Sequence, residues 1–229
     1  MSTLGELLRE MPAAADERAM PIRAEVRVEE AGFPSVSIRD EQIHSLVQQL
    51  FFRQEAGLVR NVGFTPVDTS TQTAPLCLQV ATALAEEGNY DVGLIDASSD
   101  PVLLQQQLQI PVPTHDKVTW AVSPRLWFVP RQSWWREAGQ PFADHNLEQL
   151  REFMAEFDFS ILCCAPISWL TARIGQSCDG LVLVLTANKT RRLVAAQVKD
   201  HLHETKVPLL GTILVERRFP VPQGLYRNL

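Results

Sequence analysis

Between Val67 and Ala74 the chain has no glycine and no lysine, although the flanking residues frame the segment as a strand-to-helix connection. Lysine is scarce throughout: Lys117, Lys189, Lys199 and Lys206 are the only ones, and none lies in that loop. No run of about 18 apolar residues occurs, so no segment is expected to cross a bilayer as a helix. The start, MSTLGELLREM, lacks the basic-then-apolar layout of a secretory signal, and a cytoplasmic location is the expectation. Cys77, Cys163, Cys164 and Cys178 form no C-x-x-C pair. They read as small buried hydrophobes in a reducing compartment, with a redox or metal role as the alternative. His201 and His203 sit two apart on a predicted helix, on different faces, so no shared metal is expected.

What is present suits a globular chain. With 229 residues there is room for one sizeable domain and a tail, or for two small domains. Hydrophobic residues make up 45% and mean hydropathy is near zero, as in soluble domains. A net charge of −6 argues against a nucleic-acid surface, which needs clustered Lys and Arg.

Periodicity divides the chain into an N-terminal extension (1–39), an α/β domain (40–216) and a tail (217–229). In the extension, Ile22, Ala24, Val26 and Val28 alternate with charged residues, as an edge strand or an extended arm would. Residues 40–55 predict an amphipathic helix with Ile43, Leu46, Val47, Leu50 and Phe51 on one face. Strands are predicted at Val59–Thr65, Tyr90–Asp96, Leu126–Val129, Phe159–Cys164, Leu181–Thr186 and Leu209–Val215. Helices are predicted at Pro75–Glu87, His145–Glu156 and Thr190–Glu204. Most of the strands are near-continuous apolar runs, as in a parallel sheet covered on both faces. The expected fold is a doubly wound, mostly parallel α/β sheet.

The order and spacing of these segments, from about Glu41 to the end, resemble the bacterial tyrosine autokinases of capsule and exopolysaccharide export. Those enzymes belong to the deviant-Walker P-loop class, which implies a three-layer α/β/α sandwich. FTPVDTSTQTAP followed by LCLQVATALA is similar to the family's first strand, phosphate loop and alanine-rich helix. GLIDASSDP, FDFSILCCAP, CDGLVLVLTANKTRR and LLGTILV resemble its later motifs in order. The resemblance sets Thr73 at the phosphate-binding lysine, Ala74 at the magnesium serine, and Asp68, Ser70 and Gln72 at glycines. Asp96 is kept, Ser98 replaces a second aspartate, Cys163 stands at the Walker B aspartate and Val215 at an asparagine that reaches the base.

A phosphate cradle needs converging backbone N–H groups, a cation and a metal-holding hydroxyl backed by a carboxylate. Lost charge-assisted bonds, at about 1.5–3 kcal/mol each, would weaken nucleotide binding a hundredfold or more. The segment is therefore expected to be a vestigial nucleotide site comprising Thr69, Ser70, Thr71, Thr73 and Asp96. ATP and magnesium are expected to be absent or weak, with a small-anion site at the helix N-terminus or retained hydrolysis as alternatives.

Other features carry two readings each. Trp134 and Trp135, in RQSWWREAGQPF, either tuck against the domain or face a partner as aromatic anchors. The cations of NKTRR form a solvated face or meet an acidic partner. In the tail, Phe219, Val221 and Leu225 are apolar enough to dock on the domain. Tyr226 is the only tyrosine there, and the resemblance makes it a possible phosphoacceptor. The family's ring-forming Glu-x-x-Arg-x-x-Arg helix appears here as Glu41, His44 and Val47, so family-type ring assembly is not expected, although an oligomer remains possible. Together these readings imply a catalytically inactive cytoplasmic adaptor. Its partner would be the cytoplasmic part of a membrane chain-length regulator or another export component.

Overall fold

The computed structural model describes residues 22–25, 40–52, 58–98, 101–110, 118–135 and 144–216. Apolar strand runs and amphipathic helices assemble into one eight-stranded sheet with helices on both faces. The strands are β1 (Ile22–Glu25), β2 (Asn61–Pro66), β3 (Val92–Ala97), β4 (Val118–Ser123), β5 (Leu126–Val129), β6 (Phe159–Cys164), β7 (Gly180–Thr186) and β8 (Leu209–Val215). Their spatial order is β1-β4-β5-β3-β6-β2-β7-β8, and among the described residues only the β4–β5 pair is antiparallel. Of the two readings for Ile22–Glu25, the edge strand is the one that forms, pairing with β4 from Ile22↔Val118 onward.

Helices α1 (Asp40–Val47), α2 (Ala74–Glu87) and α3 (Pro101–Gln107) cover one face. There Val47, Leu76, Val80, Leu84 and Leu104 pack over Phe64, Leu94, Ile161 and Phe128. The other face carries α4 (Arg131–Trp134), α5 (Asp144–Ala155), α6 (Trp169–Ser177) and α7 (Arg192–Glu204). Its core joins Leu150, Phe153, Ile174 and Leu202 to Ile95, Leu162 and Leu183. Burying both faces explains why the central strands are apolar without alternation.

The predicted helix over 40–55 is α-helical only to Val47 and continues as a wider π turn through Gln48–Phe52. β4, α3, α4 and α6 have no counterpart among the sequence expectations. Their polar or tryptophan-bearing segments carry weak periodicity, and α6 instead announces itself by its cap. Ser168 accepts a hydrogen bond from the Thr171 N–H at 3.3 Å. α7 begins two residues later than predicted, because Thr190 is used in the preceding turn. Its N–H bonds the Thr186 carbonyl at 3.0 Å and its hydroxyl accepts from the Thr186 N–H at 3.0 Å.

Two devices hold β2 in the middle of the sheet. Asp179 Oδ2 accepts from the Arg60 and Asn61 N–H groups at 2.7 and 2.8 Å, aligning the starts of β2 and β7. Gly63 leaves room for a neighbouring side chain, since a β-carbon there would collide with Leu181 and press on Cys164 Sγ. From β2 the chain crosses to β3 on one side, and β7 lies on the other. The C-terminal ends of β2 and β6 therefore flank a switch point, where open α/β sheets form their ligand crevices.

Candidate functional site

The loop leaving β2 is organised around its own carboxylate. Asp68 Oδ1 accepts from the Ser70 N–H at 2.9 Å and from the Ser70 and Thr71 hydroxyls, forming an Asx turn. Asp68 Oδ2 accepts from the Thr190 hydroxyl at 3.3 Å, in the turn after β7. The Thr71 and Thr186 oxygens are 2.9 Å apart. A carboxylate can only accept, so Thr71 gives its proton to Asp68 and Thr186 donates to Thr71. The Ser70 hydroxyl is the main reason the Asp68 carboxyl titrates below its ordinary value, with the Ser70 N–H and the Thr190 and Thr71 hydroxyls adding to it against a partial offset from burial.

Beside this network, at the C-terminal ends of β2 and β6, lies a cavity of about 280 Å³. Thr69, Thr71, Gln72 and Thr73 line one side, and Ser98, Cys163, Ala165 and Pro166 line the other. Thr73 is the residue that starts α2, and it makes no side-chain cap to that helix. Its hydroxyl instead lies 3.5 Å from Cys163 Sγ. Ser70 is not among the lining residues, since its hydroxyl turns to Asp68. Thr65, one strand turn below, donates to the Ala165 carbonyl at 2.7 Å and closes the floor between β2 and β6.

Asp96 is fully buried at the end of β3. Its Oδ1 accepts from the Ser98 N–H at 2.9 Å and from the Ser98 hydroxyl at 2.6 Å. The Asp96 carbonyl accepts from Trp134 Nε1 at 3.0 Å. Asp96 thus shapes the turn that brings Ser98 to the cavity, while the expected residues Thr69, Thr71 and Thr73 reach the cavity themselves.

The reading of Trp134 as a partner-facing anchor is corrected by its burial. Trp134 is 1% exposed, on the single turn of α4 rather than in an open loop, and its indole N–H is spent on the sheet. Trp135 is half-buried, its ring edge-on to Trp134 at 5.9 Å and covered by the Arg131 guanidinium 4.6 Å from its centroid. Arg131 also donates to the Ser98 carbonyl, coupling this aromatic pair to the cavity rim. Tyr226 and the rest of the tail lie outside the described residues, as does Lys117.

Among the described residues, no lysine or arginine lines the cavity. Lys189 pairs with Glu216 at 2.8 Å, and Lys199 belongs to α7. Among the described residues, no group of three or more His, Cys, Asp or Glu side chains converges as metal ligands would. Burial raises the thiols: Cys77 and Cys164 lie well above the ordinary range, and Cys178 is pushed up to about 12. Such thiols are poor nucleophiles and poor metal ligands. The arrangement can hold a small polar group by hydroxyls, an amide and a helix terminus.

Sequence reasoning missed the central role of Asp68, along with Thr186 and Thr190. An Asx-turn signal, aspartate followed two residues on by serine, was available for Asp68. The threonine contacts span 115 and 122 positions and had no local signal.

A mostly parallel sheet with this strand order, helices on both faces and a strand-loop-helix at the switch point define the three-layer α/β/α fold of P-loop NTPases. Within that class, the chain has the fold of bacterial tyrosine kinase domains. It superposes on the BceF tyrosine kinase domain with a TM-score of 0.58, at 21% identity over 76% of each chain. For the kinase domain of the Escherichia coli tyrosine kinase ETK the TM-score is 0.62, at 15% identity over 80% of this chain and 78% of that one. A ParA family ATPase from Chlorobium tepidum is similar over 74% of this chain and 78% of its own, with a TM-score of 0.58 and 16% identity. No protein-family model and no curated protein matches the sequence. Among the described residues, no helix is long and apolar enough to cross a membrane.

Proposed function

We propose that this chain is a catalytically inactive relative of the exopolysaccharide-export tyrosine kinases, acting as an adaptor or regulator in polysaccharide biosynthesis or export. The observation that carries the reading is Thr73 facing Cys163 at 3.5 Å. In the kinases that the sequence resembles, these two positions hold the phosphate lysine and a metal-side carboxylate. Here they hold a neutral hydroxyl and a thiol, inside a cavity with no cation on its walls among the described residues. The loop's donors support the same reading, because Ser70 and Thr71 are engaged by Asp68.

With no phosphoryl transfer to perform, the domain would act through its surface. Its partner would be the cytoplasmic part of a membrane chain-length regulator or another export protein, and the protein would sit in the cytoplasm at the membrane's inner face through that partner. A second reading rests on the cavity itself. At about 280 Å³ and lined by hydroxyls, it could admit a small polar ligand or anion at the α2 terminus.

Titration of the full chain with ATP and Mg²⁺ tests the first reading. A ligand at a hundred times its Kd would add about 2.7 kcal/mol of stability. The expected melting curve is unmoved by millimolar nucleotide, while the chain-length regulator's cytoplasmic segment binds measurably. A shift of several degrees with ATP–Mg²⁺ would overturn it, and a shift with inorganic phosphate or a free sugar alone would favour the second reading.

A further inference from the structure

The sequence holds four cysteines, and the fold gathers them around β6. Cys163 and Cys164 are consecutive on that strand, so their side chains leave the sheet on opposite faces. Cys163 joins Cys77 in the core beneath α1 and α2, while Cys164 joins Cys178 in the core on the α6 side.

The pair on the α2 side is in contact, for a reason that lies in helix geometry. Thr73 and Cys77 stand one turn apart, joined by the bond from the Cys77 N–H to the Thr73 carbonyl at 2.9 Å. They therefore share one stripe of α2. Helical side chains lean toward the N-terminus, so the Cys77 thiol leans toward the turn that holds Thr73. The Thr73 hydroxyl is itself 3.5 Å from Cys163 Sγ. Cys77 and Cys163 hydrogen-bond thiol to thiol and are 0% and 1% exposed.

Two thiols so placed can give up protons to a soft metal ion or hydrogens to an oxidant. A two-coordinate ion such as Cu⁺ would need both thiolates. Asp96 is the register partner of Cys163 on β3 and adds a carboxylate to the same spot. Two thiolates and a carboxylate around a monovalent cation would leave net negative charge in the interior, which is costly. A disulfide is neutral. We infer that Cys77 and Cys163 form a reversible disulfide, joining α2 to β6 beside the cavity when the folded protein meets a hydroperoxide.

Cys163 is the point of entry, because it lines the cavity and Cys77 is not among the described lining residues. The Cys163 thiolate attacks one peroxide oxygen, the O–O bond breaks, and the hydroxide released takes up the thiol proton as water. The Thr73 hydroxyl is placed to donate to the thiolate in this step. Cys77 Sγ then attacks the sulfur of the Cys163 sulfenic acid. The S–O bond breaks, the S–S bond forms, and the hydroxyl departs with the Cys77 proton as a second water. Burial makes Cys77 a poor nucleophile toward reagents in solution, but contact with Cys163 makes this attack intramolecular. A disulfide is about 2.05 Å long, so closing it from hydrogen-bond contact draws α2 toward β6 on the wall where Thr73 and Cys163 meet. A small thiol reverses the bond by exchange.

The test uses the folded full chain, treated with hydrogen peroxide, alkylated under denaturing conditions and digested without reduction. Mass spectrometry should find Cys77 joined to Cys163, at least ~10-fold more abundant than any other cysteine pair and lost with dithiothreitol. Cys77→Ala should leave a Cys163 sulfenic acid that a 1,3-dione probe traps, and Cys163→Ala should leave Cys77 reduced. Because either replacement could loosen the core, the wild-type chain is also oxidised in urea, where the preference for this pair should vanish. Oxidation of Cys77 in Cys163→Ala as fast as in the wild type would overturn the inference. So would Cys164–Cys178 as the main pair, a link between two chains, or thiols that stay reduced in peroxide.

Discussion

Asp68 and Thr190 meet at 3.3 Å across 122 positions of sequence, tying the loop before α2 to the turn after β7. The segment between β2 and α2 is thereby a strut between two crossovers. Its Asp68 carboxylate takes the Ser70 and Thr71 hydroxyls, while the Thr73 hydroxyl turns to Cys163.

The strut should respond to acid. The Asp68 carboxyl is held below its ordinary value of 3.8, chiefly by the Ser70 hydroxyl. A depressed carboxylate stabilises the fold above the unfolded value, and that contribution is lost as pH falls through the lower folded value. Urea midpoints of the wild type should therefore drop between pH 5 and acid denaturation more steeply than those of Asp68→Asn. Parallel curves for the two proteins in that window would remove Asp68 from the account. The carboxylate is largely solvated, so the effect is a change of slope rather than a collapse.

At the cavity, Cys163→Asp should destabilise by about 2–5 kcal/mol, because it places an uncompensated carboxylate in a fully buried position. Adding Thr73→Lys, whose ammonium would enter opposite it, should recover part of that loss. A double-mutant cycle with denaturant melts reads the coupling directly. Strict additivity would mean that the two positions do not face each other as the 3.5 Å contact requires.

Trp134→Ala should cost about 3–5 kcal/mol, since it empties a buried indole site and removes the bond to the Asp96 carbonyl. Trp135→Ala should cost clearly less, as its ring is half-buried under Arg131. Thermal melts of the two variants decide this. A Trp134→Ala protein with wild-type stability would return that ring to the surface.

Alkaline conditions should favour the unfolded chain. Burial keeps Cys178 protonated up to about 12, and Cys77 and Cys164 are raised as well. Unfolded thiols ionise near 9, so stability present below that value is lost as pH rises beyond it. In the native protein at pH 8, maleimide labelling followed by mass spectrometry should modify Cys178 slowly and Cys77 and Cys164 only on unfolding. Rapid native labelling of Cys77 would contradict its burial.

The layers of this fold are legible in local pattern because the forces that build them are local or periodic. The apolar run FSILCC can only be a strand covered on both faces, and LCLQVATALA can only bury a helical stripe. The positions of Thr73 and Cys163 at the ends of α2 and β6 were equally visible, since each stands at a fixed distance from a recognisable helix or strand. β4 and α4 were not visible, because neither segment carries a period strong enough to outweigh its polar residues. The tryptophan pair was left open for a related reason. Composition says that an indole needs burial and a partner for its N–H, but not whether those come from its own sheet or from another protein. Only the tertiary structure decided that Trp134 belongs to the Asp96 carbonyl, that Thr73 faces Cys163, and that Asp68 answers Thr190. Those contacts join residues tens to more than a hundred positions apart, and their geometry exists only once the crossovers have brought β2, β6 and β7 side by side.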